Sequence, residues 1–80
     1  MMKMTWDGTE KGWTLETDKP ISQARFMQIW EYTIRDQKRQ ISTMPPGPEL
    51  KVYQDAFFFL KDMRIIHTVN GIIQPQGGAN

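Results

Sequence analysis

The chain has 80 residues with a formal net charge of +1, from ten Lys and Arg against nine Asp and Glu, and it has no cysteine. The missing cysteines exclude a disulfide framework and a thiolate metal site, and the near-neutral charge excludes nucleic-acid binding driven by bulk charge. One small domain is expected, which buries about 60–65% of the surface that its unfolded chain exposes. No apolar run approaches the roughly 20 residues of a membrane span, so we expect a soluble, cytoplasmic protein.

The first predicted element is a β-hairpin. Large apolar residues alternate with polar ones over residues 2–6 and again over residues 13–16, on either side of a short segment of turn-forming residues. Alternation with a period of two is typical of strands that are buried on one face. We expect Trp6 and Trp13 on that buried face, where they form the core with Trp30 of the first helix.

An amphipathic helix is predicted next. Asp18 and Pro20 indicate its start, because an acidic cap followed by proline in the first turn is a common helix beginning. The helix is expected to run from Ile21 to Ile41. A stripe at three- and four-residue spacing would face the core, and it consists of Phe26, Ile29, Trp30, Thr33, Ile34, Gln37 and Ile41.

A second helix is predicted after a stiff connector. Two prolines and a glycine within residues 44–47 cannot continue a helix. Pro48 suits the first position of the next helix, with Glu49 beside its positive end, and the helix is expected to end at Met63 or Arg64. Its apolar residues form one broad arc, which consists of Leu50, Val52, Tyr53, Ala56, Phe57, Phe59, Leu60 and Met63.

The last predicted element is a second hairpin over residues 65–74. Asn70 and Gly71 stand between two β-branched runs, and this pair is the strongest short signature of a tight hairpin turn. In that register His67 lies opposite Gln74.

The predicted fold is therefore a small α+β domain in the order ββααββ. It has an N-terminal hairpin, two antiparallel helices joined by a Pro-rich turn, and a C-terminal Asn-Gly hairpin. The two hairpins can meet in one sheet covered by the helices. We expect a single domain over residues 1–75 and a flexible tail over residues 76–80.

Catalytic residues are sparse. The chain has one histidine, His67, two serines outside any nucleophile-elbow pattern, and carboxylates that are scattered singly. General acid–base catalysis requires titratable groups that converge, and a closed zinc site requires more cysteine or histidine than the chain contains. We expect no enzyme activity, no cofactor and no metal site.

Phe58 is the main candidate for a binding residue. It projects from the charged face of the second helix, beside Lys51, Asp55 and Asp62. A large apolar side chain in such a place is either covered by another part of the chain or is a contact for a partner. The partner is another protein or a second copy of the chain, which would form a symmetric dimer through residues 57–59.

The first helix carries a second candidate, named here the arginine ridge. Arg25, Tyr32, Arg35 and Arg39 recur at helical spacing opposite the apolar stripe. Arginine and tyrosine are enriched at binding hot spots, and the arginine guanidinium also binds phosphate through bidentate hydrogen bonds. The ridge is therefore interpreted in three ways: as an ordinary solvated face, as a protein contact, or as a nucleic-acid contact.

The C-terminal part of the chain resembles a known family of DNA-binding domains. The helix end at residues 59–63, the strand from Arg64 to Ile66, and the Asn70-Gly71 hairpin resemble the passage from recognition helix to wing in winged-helix DNA-binding domains. That family usually has three helices, whereas two are predicted here.

The sequence thus favours a non-enzymatic protein that acts through protein–protein contact. A small regulator or inhibitor of a host protein, of the kind that phages and other mobile elements encode, would suit this size and composition. A winged-helix-like DNA-binding module and a structural homodimer are the alternatives.

Overall fold

The computed structural model describes residues 2–74, so the tail predicted for residues 76–80 lies outside the described part of the chain. The predicted element order is confirmed, and the chain is a small α+β domain with a mixed sheet. The elements in chain order are β1 (Met2–Trp6), β2 (Trp13–Thr17), α1 (Gln23–Thr43), α2 (Pro48–Lys61), β3 (Ile65–Val69) and β4 (Ile72–Ile73).

The two hairpins meet in one four-stranded sheet with the order β1-β2-β3-β4. β1 pairs antiparallel with β2, β2 pairs parallel with β3, and β3 pairs antiparallel with β4. The two helices form the crossover that a parallel pair requires. Consequently β1 and β4 are the edge strands of the described sheet.

The C-terminal turn has the conformation that its sequence predicts. Asn70 and Gly71 both have positive φ, at 52° and 84°. The register places His67 opposite Gln74, whose N–H donates to the His67 carbonyl at 2.8 Å. Positive φ at both positions suits Asn-Gly because neither residue meets the penalty that a larger side chain would.

Both helices differ from prediction at their ends. α1 begins at Gln23, not Ile21, and ends at Thr43, not Ile41. Its cap is Ser22, whose hydroxyl accepts from the Arg25 N–H at 3.1 Å. Asp18 is therefore not the helix cap, because a serine nearer the first helical turn supplies that acceptor. α2 begins at Pro48 as predicted.

The end of α2 comes earlier than predicted. The helix stops at Lys61, because Met63 adopts a φ of 60° and the Arg64 N–H turns back to donate to the Phe59 carbonyl at 3.0 Å. A residue with positive φ just beyond the last turn is a common way for a helix to end. The chain then enters β3 at Ile65 without a long loop.

The core lies between the sheet and the C-terminal half of α2. It consists of Trp13, Leu15, Ala56, Leu60 and Ile65, all less than 4% exposed. Two indole groups fix α2 in place: the Trp13 Nε1–H donates to the Ala56 carbonyl and the Trp30 Nε1–H to the Leu60 carbonyl, both at 2.7 Å. The second bond also shows that the middle of α1 lies beside the end of α2, as in an antiparallel pair.

The three tryptophans predicted for the core differ in burial. Trp13 is buried, whereas Trp6 and Trp30 are half-buried and pack against the core. Trp6 packs on Phe59 of α2, with ring centroids 5.6 Å apart, so the first hairpin contacts α2 as well as α1. The arc predicted for α2 is also too broad, because Val52 and Met63 are exposed.

The N-terminal half of α1 contacts the sheet. The ring of Phe26 lies 6.2 Å from that of His67 in β3. Arg25 donates to the Met2 sulfur of β1 at 3.9 Å. No apolar residue from 35 to 55 is among those that pack against the buried core.

Candidate protein-binding surfaces

Phe58 is exposed on α2. Its exposed fraction is 62%, so the described part of the chain leaves most of this side chain uncovered. The charged residues expected around it are present as two ion pairs. The Lys51 Nζ lies 3.7 Å from the Asp55 carboxylate, and the Arg64 Nε lies 2.9 Å from that of Asp62. Phe58 with Lys51, Asp55 and Asp62 is named here the Phe58 surface.

The Phe58 ring rests on a series of aromatic contacts that begins in the core. Trp13 contacts Trp6 at 5.6 Å between ring centroids, Trp6 contacts Phe59 at 5.6 Å, and Phe59 contacts Phe58 at 5.9 Å. The Arg64 guanidinium lies over the Phe59 ring, 4.8 Å from the ring centroid. Edge-to-face contacts and the cation fix the rings beneath Phe58, which lowers the entropy that Phe58 would lose on binding.

The arginine ridge is exposed along its whole length. Tyr32 is 71% exposed, and the three arginines are exposed as well. The ridge is less positive than its sequence implies, because the Arg39 guanidinium forms an ion pair with Asp36 at 2.5 Å. Arg25 instead donates to the Gln28 Oε1 at 3.3 Å and to the Met2 Sδ at 3.9 Å.

A groove between β1 and α1 is a further candidate, and the sequence pattern does not indicate it. Its volume is about 510 Å³, and Arg25 and Tyr32 of the ridge stand at its side. The groove exists because β1 is an edge strand, which depends on the pairing of β2 with β3. It is lined by Met2, Lys3, Met4, Leu15, Arg25, Gln28, Ile29, Tyr32 and Thr33.

The structure does not join the Phe58 surface to the arginine ridge. They lie on different helices, and the part of the chain that the structure describes contains no hydrogen bond, ion pair or ring contact between them. They are therefore two separate candidate surfaces, and a partner that uses one does not need the other.

No family model, curated protein or solved structure matches the chain. Among residues 2–74, no group of three or more His, Asp or Glu side chains is placed to hold a metal ion. No helix of the same range is both long and apolar enough to cross a membrane.

His67 lies on the buried face of β3. It is 8% exposed, and its Nε2 lies 2.9 Å from the Thr17 hydroxyl oxygen. Burial lowers the pKa of His67 below its ordinary value, because the charged imidazolium loses its hydration there. The His67 ring joins β3 to β2 and lies 6.2 Å from the Phe26 ring.

Proposed function

We propose that the chain is a non-enzymatic binding protein that acts through protein–protein contact, as a small regulator or inhibitor of another protein. The observation that carries this proposal is the 62% exposure of Phe58 above the ordered aromatic contacts of Phe59 and Trp6. Aromatic side chains, phenylalanine among them, are enriched at the buried centres of protein–protein interfaces.

The charges around Phe58 suit the rim of such a contact. Lys51 and Asp55 are paired with each other, and Asp62 is paired with Arg64. Exposed ion pairs contribute little free energy, so they favour orientation and partner choice more than affinity. The free energy of binding would come mainly from burial of the Phe58 ring.

The DNA-binding alternative has less support. The Asp55 and Asp62 carboxylates beside Phe58 would repel phosphate, and residues 65–74, which include the wing-like turn, have no Lys or Arg. The homodimer alternative uses the same Phe58 ring, so loss of binding in Phe58→Ala does not distinguish it from binding to another protein. The molecular mass of the chain in solution makes that distinction.

The test is affinity capture with matched variants. Immobilised wild-type protein, Phe58→Ala and Val52→Ala are exposed to host lysate at low and high salt, with and without nuclease. Val52 is the control because it is also an exposed apolar residue of α2, 49% exposed, outside the Phe58 surface. We expect a protein that the wild type and Val52→Ala retain at high salt after nuclease treatment, and that Phe58→Ala loses.

Three results would contradict the proposal. Equal capture by Phe58→Ala would exclude the Phe58 surface. Nucleic acid that is recovered only at low salt would favour the DNA-binding alternative, since phosphate contacts weaken steeply with salt. A molecular mass that doubles with concentration and returns to that of a monomer in Phe58→Ala would show the homodimer instead.

A further inference from the structure

The outer edge of β1 has main-chain groups without strand partners. The Asp7 N–H donates to the Gly12 carbonyl at 2.8 Å, which fixes the phase of the β1–β2 ladder. Because hydrogen-bonded pairs alternate along an antiparallel ladder, the main-chain groups of Met2, Met4 and Trp6 point away from β2. Within residues 2–74 no strand lies on that side.

The groove beside β1 is placed to receive side chains from an added strand. Three consecutive residues of β1, Met2, Lys3 and Met4, line the groove. Because consecutive side chains of a strand point to opposite faces of the sheet, a groove that contacts all three follows the edge of the strand. Its floor is apolar, because Met4 of β1 and Ile29 of α1 line it above the buried Leu15.

The charge of the groove favours an acidic ligand. Lys3 and Arg25 line it, and no carboxylate does. Arg25 has only neutral acceptors in the described chain, the Gln28 side-chain oxygen and the Met2 sulfur. A carboxylate beside Met2 would therefore give Arg25 a charge-assisted hydrogen bond in place of two weaker ones.

A second copy of the chain does not supply such a carboxylate through its own β1, because residues 2–6 contain Lys3 and no Asp or Glu. A separate extended segment that carries Asp or Glu does supply it.

We propose that β1 binds an extended acidic peptide segment of a partner protein by β-strand addition. In an antiparallel added strand, the residue opposite Met4 points to the apolar floor, and the residue two positions later lies opposite Met2 and Arg25. The recognised pattern is therefore an apolar residue, any residue, and then Asp or Glu. This inference rests on the proposed protein-binding function and assigns it a second surface.

The experiment is a selection from a random displayed heptapeptide library on the full chain. The enriched peptide is then synthesised with a fluorescent label, and its affinity is measured by polarisation. We expect the apolar-x-acidic pattern, and about tenfold weaker binding when the acidic residue is changed to its amide. N-methylation at the apolar residue, which faces the β1 main chain, should abolish binding, whereas N-methylation of the residue after it should not.

Protein variants locate the site. Arg25→Gln should weaken binding about tenfold, whereas Arg35→Gln, on the same ridge but outside the groove, should not change it. Met4→Pro removes an N–H that points away from β2, so the ladder is kept and peptide binding is lost. Met4→Ala retains the N–H and is its control, and the N-methylated peptides test the same bond on the unaltered protein.

The outcomes separate this inference from the proposed function. No enrichment, or enriched peptides that are insensitive to Arg25→Gln and to N-methylation, would overturn the β1 site. Peptides that bind wild type but not Phe58→Ala would overturn it too, while supporting the Phe58 surface. Peptides that bind at β1 when lysate capture is unaffected by Phe58→Ala would support the β1 site and exclude the Phe58 surface.

Discussion

Substitution of Phe58 by alanine should separate binding from stability. About 40% of the Phe58 surface is covered, since its exposed fraction is 62%. With about 200 Å² for a phenylalanine side chain and about 25 cal/mol per Å², that covered area contributes at most about 2 kcal/mol. Alanine keeps part of the contact and has a better helix propensity by about 0.5 kcal/mol. The net loss in the free energy of unfolding should be about 1 kcal/mol or less.

Leu60→Ala is the matched comparison, two residues away on the same helix. Leu60 is 0% exposed, so its truncation leaves a cavity and should cost about 2–5 kcal/mol. For a domain of this size, 1 kcal/mol shifts the melting temperature by about 4–8 °C. We therefore expect a loss of less than about 8 °C for Phe58→Ala and of about 10 °C or more for Leu60→Ala.

The assay combines thermal melts by circular dichroism with affinity for the captured partner by calorimetry. Phe58→Ala should weaken the complex by at least about 2 kcal/mol, which is roughly 30-fold in Kd. Melting temperatures that fall equally in Phe58→Ala and Leu60→Ala would refute the reasoning, since they would make Phe58 a core residue. An unchanged affinity with a small stability loss would refute only the role of Phe58 as an anchor.

Three further predictions test the fold. Gly12→Ala places a Cβ 2.5 Å from the Arg64 carbonyl oxygen at a φ of 83°, so it should lower the free energy of unfolding in urea by about 3 kcal/mol or more. Gly8→Ala, at a φ of 103° with open space around it, should lower that free energy by about 1–2 kcal/mol. Equal losses would exclude the close approach to Arg64 as the cause. The lowered pKa of His67 means that the unfolded chain binds its proton at a higher pH, so this contribution to stability is complete above about pH 6.5 and is lost as the pH falls below it. The difference in unfolding free energy between wild type and His67→Gln, measured from pH 7.5 to 5, should shrink as the pH falls, and a constant difference would contradict it. Trp13→Phe should cost about 1–2 kcal/mol through the lost indole hydrogen bond, and an unchanged urea midpoint would show that this bond contributes nothing net.

Local patterns in the sequence predict most of the elements. Hydrophobic periodicity predicts both helices, and the Asn70-Gly71 pair predicts a turn whose backbone angles are the positive ones that it favours. Residue spacing also places Phe58 outside the apolar arc of α2. That spacing leaves open whether another part of the chain covers Phe58, and the structure shows a side chain that is 62% exposed.

Features that depend on distant contacts are harder to predict. The start of α1 is misplaced because Ser22 and Asp18 are both acceptable caps, and tertiary packing decides between them. The groove at β1 cannot be predicted locally, since it requires the register that pairs Leu15 with His67, 52 residues away. The partial burial of Trp6 and Trp30 likewise depends on distant contacts with α2, since Trp6 packs on Phe59 and Trp30 donates to the Leu60 carbonyl.

The parallel pairing of β2 with β3 has a consequence for how the chain folds. The Trp13 N–H donates to the Arg64 carbonyl at 2.8 Å and the Asn70 N–H to the Thr17 carbonyl at 3.0 Å, so the centre of the sheet joins segments from opposite ends of the chain. During synthesis, the N-terminal hairpin leaves the ribosome well before its partner strand exists, and loop closure of this length slows the pairing. Until β3 emerges, Trp13 and Leu15 have no parallel neighbour, and a chain truncated after α2 would lack the strand that completes its core. Folding should therefore be a single late event that requires nearly the whole chain.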